Sequence, residues 1–253
     1  MKRILPSALF SVIAAAIIGI GLSGCVIISF DDFKSVTAKG SPEIYEFKVG
    51  EYNAIKVEGY CDIRHYSGGS GVSPDTVSLS LPPNVREYYK VEVINNELII
   101  STTRRINYRS NNSPVLTAST PVLNRLVIDG AGTFTAFDKI TSSSLTFIIR
   151  GAGSANAEFE VTSLYAELSG AGNMKLSGKA DTADINISGM GELDALALET
   201  REAVINLSGA GNVSVSCSQD LRINADGMGS IEYRGNPRLI LNKDGMVNIK
   251  QLN

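Results

Sequence analysis

The chain has one histidine among its 253 residues, and it lacks any long run of Lys and Arg. Each shortage removes a class of function. Nucleophilic catalysis needs a base beside its nucleophile, and His65 is followed only by Tyr66 and the loop Ser67-Gly68-Gly69-Ser70-Gly71. That loop lacks the Gly-x-Ser-x-Gly spacing of a hydrolase elbow. A lone His on the inward side of a strand reads as a structural residue. No His, Cys and Asp cluster has metal-ligand spacing, so neither a metal nor another cofactor is expected. The absence of a basic stripe sets nucleic acid aside as a partner. The 3.6-residue helical period is missing from Tyr45 onward, which excludes a helical body.

The first thirty residues carry the most specific signal. Lys2 and Arg3 precede an uncharged apolar run from about Ala8 to Ile20, and Leu22-Ser23-Gly24-Cys25 follows. A positive start, an apolar core and small residues at a cleavage site describe a secretory signal. The run is shorter than the roughly 20 residues that span a bilayer comfortably, which favours cleavage over a retained anchor. Leu-Ser-Gly before Cys resembles the lipobox of bacterial lipoproteins. The resemblance implies that residues 1–24 are removed and that Cys25 carries lipid, making a membrane the first partner. Two or more acyl chains there meet the requirement for stable anchoring. Val26 offers no inner-membrane retention signal, so the expected location is the cell envelope, at the outer membrane.

Removing residues 1–24 leaves 21 basic and 26 acidic residues, a net charge of −5. Residues 25–44, with Lys39-Gly40-Ser41-Pro42, read as a lipid-anchored tether, and residues 45–253 as one folded domain. Cys61 and Cys217 lie 156 positions apart on apolar strand parities. They read as two small buried hydrophobes, with a disulfide as the other reading in an exported protein.

The decisive pattern is an internal repeat. A Gly-X-Gly triplet occurs at Gly130 and Gly132, Gly151 and Gly153, Gly170 and Gly172, Gly189 and Gly191, Gly209 and Gly211, and Gly227 and Gly229. The first glycines thus recur about every 20 residues, the spacing of a repeat architecture. Four positions before them stand Leu126, Phe147, Ala166, Ile185, Ile205 and Ile223; four after stand Phe134, Ala155, Met174, Leu193, Val213 and Ile231. Intervening columns are polar. Each copy is therefore a strand, a Gly-marked bend and a second strand, with one buried face. A unit of this size cannot bury its apolar side alone, and stacking copies solves the problem. The expected fold is all-β, a β-solenoid whose turns follow the Gly-X-Gly period. Gly is expected at the bend for positive φ and for a tight inner wall. Asn186, Asn206 and Asn224 share one outward column, which reads either as a hydrogen-bonded ladder or as three unrelated surface residues.

Residues 45–120 keep the alternation without the triplet and read as irregular strands that cap the solenoid. Val91 and Val93, the turn Asn95-Asn96, then Leu98 and Ile100 read as a hairpin. Residues 104–114 read as an exposed loop. Asp244-Gly245-Met246-Val247 has lost its second Gly and reads as a frayed last turn.

The order Ala54-Ile55-Lys56-Val57-Glu58-Gly59, an early hairpin ending Glu97-Leu98-Ile99-Ile100-Ser101, Pro121-Val122-Leu123 before the first triplet, and Ile231-Glu232-Tyr233-Arg234-Gly235-Asn236-Pro237 after the last resembles the GIN domain. That family is catalogued as an autotransporter-adhesin head domain, formerly a domain of unknown function. The resemblance covers about residues 45–250. It implies a right-handed β-helix at the cell envelope and brings no established activity, so no catalytic residue is carried over.

Three functions remain. The leading one is a non-enzymatic binding or adhesion module for a glycan or protein. The alternatives are a periplasm-facing structural or sensory lipoprotein and a carbohydrate-active enzyme. An enzyme would need paired carboxylates on one face; Asp129 and Asp226 share a column at opposite ends of the array, and Glu192 and Asp194 form a single acidic strand. The concentration of Tyr before the repeats, with Tyr60 and Tyr66 expected to be exposed, reads either as a contact surface or as ordinary capping of the solenoid end.

Overall fold

The computed structural model describes residues 35–68, 71–108 and 113–252. The signal segment, Cys25, the first part of the tether, Gly69, Ser70, Arg109, Asn111 and Asn112 lie outside them. The fold is nearly all strand: about seven stacked parallel turns of roughly 19 residues. Among the described residues no helix is long and apolar enough to cross a membrane.

The N-terminal strands are β1 (Val36–Thr37), β2 (Glu43–Lys48), β3 (Ala54–Tyr60), β4 (Asp62–Tyr66) and β5 (Thr76–Leu81). After a 3-10 turn over Pro83–Tyr88 come β6 (Tyr89–Ile94), β7 (Glu97–Thr102), β8 (Ile106–Asn107) and β9 (Val115–Ser119). The repeats supply β10 (Arg125–Ala136), β11 (Ile140–Ile149), β12 (Ala152–Leu168), β13 (Ala171–Ile187) and β14 (Met190–Leu207). The last strands are β15 (Ala210–Ala225), β16 (Met228–Arg234), β17 (Arg238–Lys243) and β18 (Met246–Leu252).

From β10 onward each strand pairs in parallel with its equivalent one coil later, and the register matches like with like. Ile185, Ile205 and Ile223 stack, as do Met174, Leu193 and Val213. Both columns are buried throughout. Alternation of apolar and polar residues turns one set inward on every coil, and each fully buried Leu, Ile or Phe contributes about 1.5–3 kcal/mol. The widest part of the core lies in the first coils, where Phe134 meets Phe147 at 5.7 Å between ring centroids and Phe147 meets Phe159 at 6.1 Å. Cys61 and Cys217 are both free thiols in this core, and burial pushes the Cys61 thiol pKa up.

The glycine column has a different main cause from the bend geometry expected of it. Gly130, Gly132 and Gly229 have positive φ, but Gly151, Gly170, Gly189, Gly209 and Gly227 do not. At all five, an added Cβ would run into backbone of the preceding coil, the carbonyl oxygen of its own first Gly included. Close approach of backbone to backbone is what requires Gly here.

The column also extends beyond the six triplets. Gly59 pairs with Gly130 and Tyr60 with Ala131, so Gly59-Tyr60-Cys61 is an earlier copy with Cys in place of the second Gly. At the other end Gly245 lies over Gly227, and β18 pairs with β16 along its whole length. The last coil is therefore complete rather than frayed. Val247, which replaces the second Gly, is 2% exposed and belongs to the core.

The N-terminal half caps one end. β3 lies between β10 and β7, and β4 between β10 and β9. The antiparallel pairs β2–β5, β5–β9 and β6–β7 close this end. Asn95 and Asn96 both have positive φ (52° and 62°), the geometry of a two-residue type I′ hairpin turn. Pairing begins at Val36, ahead of Tyr45, because β1 joins β8. At the opposite end β17 and β18 pair only on their inner side among the described residues, leaving Leu239 and Leu241 of the core columns exposed.

Asn186, Asn206 and Asn224 form a file of side-chain amides. Asn206 Nδ2 donates to Asn186 Oδ1 at 2.9 Å, and Asn224 Nδ2 donates to Asn206 Oδ1 at 2.7 Å. Asn242 adds a further rung at 2.8 Å, and Asp184 accepts from Asn186 at the far end. Asn206→Ala removes a donor and an acceptor from the middle of the file. A loss of about 1 kcal/mol is expected in urea unfolding, against no measurable loss for Ser188→Ala, which lies outside the file.

Candidate binding surface

His65, the candidate base, is fully buried, and neither of its ring nitrogens makes a hydrogen bond; Ser67 Oγ is likewise buried without a partner. The two do not form a nucleophile–base pair. His65 packs on Phe134 at 5.8 Å between ring centroids. Desolvation lowers its pKa to about 4, opposed by the Asp138 carboxylate and the Thr120 backbone. No group of three or more metal-ligating side chains occurs among the described residues. Glu192 and Asp194 stand beside Asn173, Lys175, Asn212 and Ser214 in adjacent coils, without a facing carboxylate in those positions.

The Tyr residues that precede the repeats serve the cap. Tyr52 is buried and donates from its hydroxyl to the Ser119 carbonyl at 2.8 Å, with its pKa raised to about 12 by burial. Tyr89 donates to the Tyr60 carbonyl at 2.6 Å, and Tyr108 donates to the Tyr89 hydroxyl at 2.8 Å. Tyr60 and Tyr66 are half-buried rather than exposed. The alternation placed them outward, but tertiary packing covers them: Tyr60 meets Tyr108 at 5.3 Å, and Tyr66 stacks on Phe137 at 5.1 Å.

Concave surface lies along the side of the stack. One groove, about 970 Å³, crosses successive coils from Thr141 and Ser142 through Glu160, Lys179 and Glu199 to Ser216 and Arg234. Glu160, Lys179, Glu199, Ser216 and Arg234 are register partners in one outward column. Departures from the period shape its floor. Between β14 and β15 the register slips at Ala195/Glu199, so Leu196, Ala197 and Leu198 have no partner in β15, while Ala197 and Leu198 stay paired with Ser177 and Gly178 of β13. Ser216 Oγ fastens this bulge by donating to the Leu196 carbonyl at 2.7 Å. Lys179 meets Glu199 at 3.6 Å and Arg201 meets Asp181 at 3.9 Å, long exposed pairs that contribute little stability. A second groove of about 570 Å³ passes Tyr165, Asp184, Arg222 and Arg238. Both are open, and both mix polar with apolar lining. Each runs across several successive coils.

Comparison with known proteins gives a consistent picture of the fold. The family described as "Putative auto-transporter adhesin, head GIN domain" matches residues 51–237. No curated protein matches the sequence. A crystal structure of a "putative adhesin" from Bacteroides fragilis is 23% identical with a TM-score of 0.78, covering 86% of this chain and 100% of that one. A "putative lipid binding protein" from Parabacteroides distasonis is 22% identical with a TM-score of 0.68, covering 87% and 100%. A "putative adhesin" from Parabacteroides merdae, 17% identical with a TM-score of 0.61, covers 87% and 99%. At these identities the likeness is one of fold.

Proposed function

Because the chain belongs to the family of GIN head domains, we propose that it is a non-enzymatic adhesion module held at the cell envelope by lipid on Cys25. The observation that carries this reading is the groove of about 970 Å³ running across consecutive coils, lined by outward hydroxyls and alternating charges on a rigid stack. A solenoid fixes such a surface at low entropic cost, since each coil is braced by its neighbours. The anchor sets where the surface is shown: cleavage before Cys25 and acylation of its thiol leave residues 26 onward as the tether, with the outer membrane as the destination.

Two measurements test this. Cys25→Ser is expected to move the protein from the membrane pellet to the soluble fraction of fractionated cells; an unchanged pellet signal removes the lipid anchor. Protease shaving of intact cells is expected to remove the protein, with lysed cells as control. Protection until lysis sinks the adhesion reading and favours a periplasm-facing structural or sensory lipoprotein.

A further inference from the structure

Large apolar side chains are exposed at several points of the stack, Met190, Met228 and Met246 among them, but Phe137 is the exposed aromatic ring among the described residues. It is 53% exposed, whereas every other described Phe and every described Tyr is buried or half-buried. Its position traces to an irregularity of the repeat. The interval from Gly130 to Gly151 is longer than that from Gly151 to Gly170 by two positions. Thr135 pairs with Asn156 and Ile140 with Phe159, so the surplus falls between them, in the stretch containing Phe137, Asp138 and Lys139. The surplus turns Phe137 outward.

The ring is held in place. It stacks on Tyr66 with planes 11° apart and centroids 5.1 Å apart, and its backbone N–H donates to the His65 carbonyl at 2.9 Å. One ring face is thus covered by Tyr66, leaving the other for a ligand. Polar groups surround it. Asp138 accepts from the Ser67 backbone N–H at 3.2 Å, and Lys139 reaches Glu158 at 3.9 Å and Glu160 at 3.5 Å. Lys139, Glu158 and Glu160 are each about half exposed, so their donors and acceptors exchange readily with those of a ligand. Glu160 is also a wall of the large groove.

An exposed ring face two residues before an ammonium that reaches two carboxylates, one of them a wall of the groove, matches one ligand chemistry: a pyranose with an apolar C–H face and a rim of hydroxyls, continued as a chain. We infer that Phe137 is the stacking platform of a glycan site, with Lys139, Glu158 and Glu160 binding the hydroxyls of the stacked sugar. The ligand class is an oligosaccharide of glucose-type units, whose equatorial substituents leave the ring faces flat. A peptide fits less well, because an extended peptide gains its affinity from free strand edges and the strands at this face are paired on both sides. The inference deepens the proposed adhesion reading and rests on it.

The test is titration of the full chain in detergent micelles with cellohexaose and with chitohexaose, read by calorimetry and by saturation-transfer NMR. Binding of at least one hexasaccharide is expected, weakened about ten-fold or more in Phe137→Ala and retained in Phe137→Trp. Thermal melts of both variants should match the parent, since the side chain is outside the core. Absence of binding by either sugar, or equal binding by Phe137→Ala, overturns the site. Beads coated with the full chain separate this failure from failure of the adhesion reading. If they still adhere to cells while neither hexasaccharide binds, adhesion stands and the glycan site falls.

Discussion

Gly170→Ala is expected to destabilise the middle of the stack by about 3 kcal/mol or more. The new Cβ would overlap the carbonyl oxygen, the nitrogen and the carbonyl carbon of Gly151, all backbone atoms with no rotamer to change. Relief requires the coils to separate, which breaks the bond from Ala171 N–H to the Gly151 carbonyl (2.8 Å) and disturbs the ladder beside it. Among the second glycines, Gly153 alone gives the internal contrast. A Cβ there would meet Ile128 Cγ2 at 3.1 Å and the Gly132 oxygen at 3.2 Å, contacts that a shift of a few tenths of an ångström relieves. Gly153→Ala should cost about 1 kcal/mol or less. Gly50, with nothing within 4 Å of an added Cβ, is the neutral control. Urea midpoints of the three variants decide the matter; equal losses at Gly170 and Gly153 would refute close approach as the cause.

The second large effect is acid sensitivity from His65. Its folded pKa is depressed to about 4 from an ordinary 6.5, mainly because burial penalises the imidazolium. A depressed pKa means that the unfolded chain binds the proton more readily. The stability associated with the neutral ring is fully present above pH 6.5 and is lost as pH falls through 4. The loss is about 2 kcal/mol by pH 5 and about 3 kcal/mol near pH 4. Asp138 is the charged group that favours the proton, and it limits the depression. The Thr120 backbone also favours the proton, whereas Ala118 of β9 and Ala136 of β10, the register partners of His65, bring no side-chain acceptor. His65→Phe preserves an aromatic ring next to Phe134 and removes the titration. Denaturant unfolding at pH 7 and pH 5 should show a drop in the parent that exceeds the drop in the variant by about 2 kcal/mol. Parallel drops would mean that other groups set the acid limb.

Much of this architecture was legible beforehand because a solenoid repeats its instructions. A fixed spacing with apolar columns four residues either side of Gly specifies inward faces, parallel pairing and register together. The hairpin at Asn95-Asn96 was equally readable, since its turn needs positive φ and Asn tolerates it. What escaped was long-range or local in ways a period does not encode. Gly59-Tyr60-Cys61 is a copy of the triplet hidden by its Cys and by its distance from Gly130. The frayed ending inferred from Val247 ignored that β18 has a full partner in β16. Alternation alone turns Tyr60 and Tyr66 toward solvent, whereas Tyr108 and Phe137 pack against them in the fold. Asn242 has a signal that could have been used, as it follows Asn224 by one coil in the same column. Phe137 had one too: the longest interval between first glycines, from Gly130 to Gly151, marks where the chain must bulge.

The placement of β3 between β7 and β10 also orders events in time. Neighbouring repeats close loops of a single coil, whereas Ala54 must find Arg125 across more than three times that length of chain. The longer closure costs about 1 kcal/mol more in chain entropy. A chain synthesised from its N-terminus presents β3 and β4 before either partner strand exists, so the first coil to emerge is among the last to be completed. Until then its apolar residues Ile55, Val57 and Ile63 have no coil to lie against, and β3 is a bare strand seeking a neighbour. The repeats, by contrast, add to a finished edge one after another. The topology thus favours growth from the middle, with closure of the N-terminal end late.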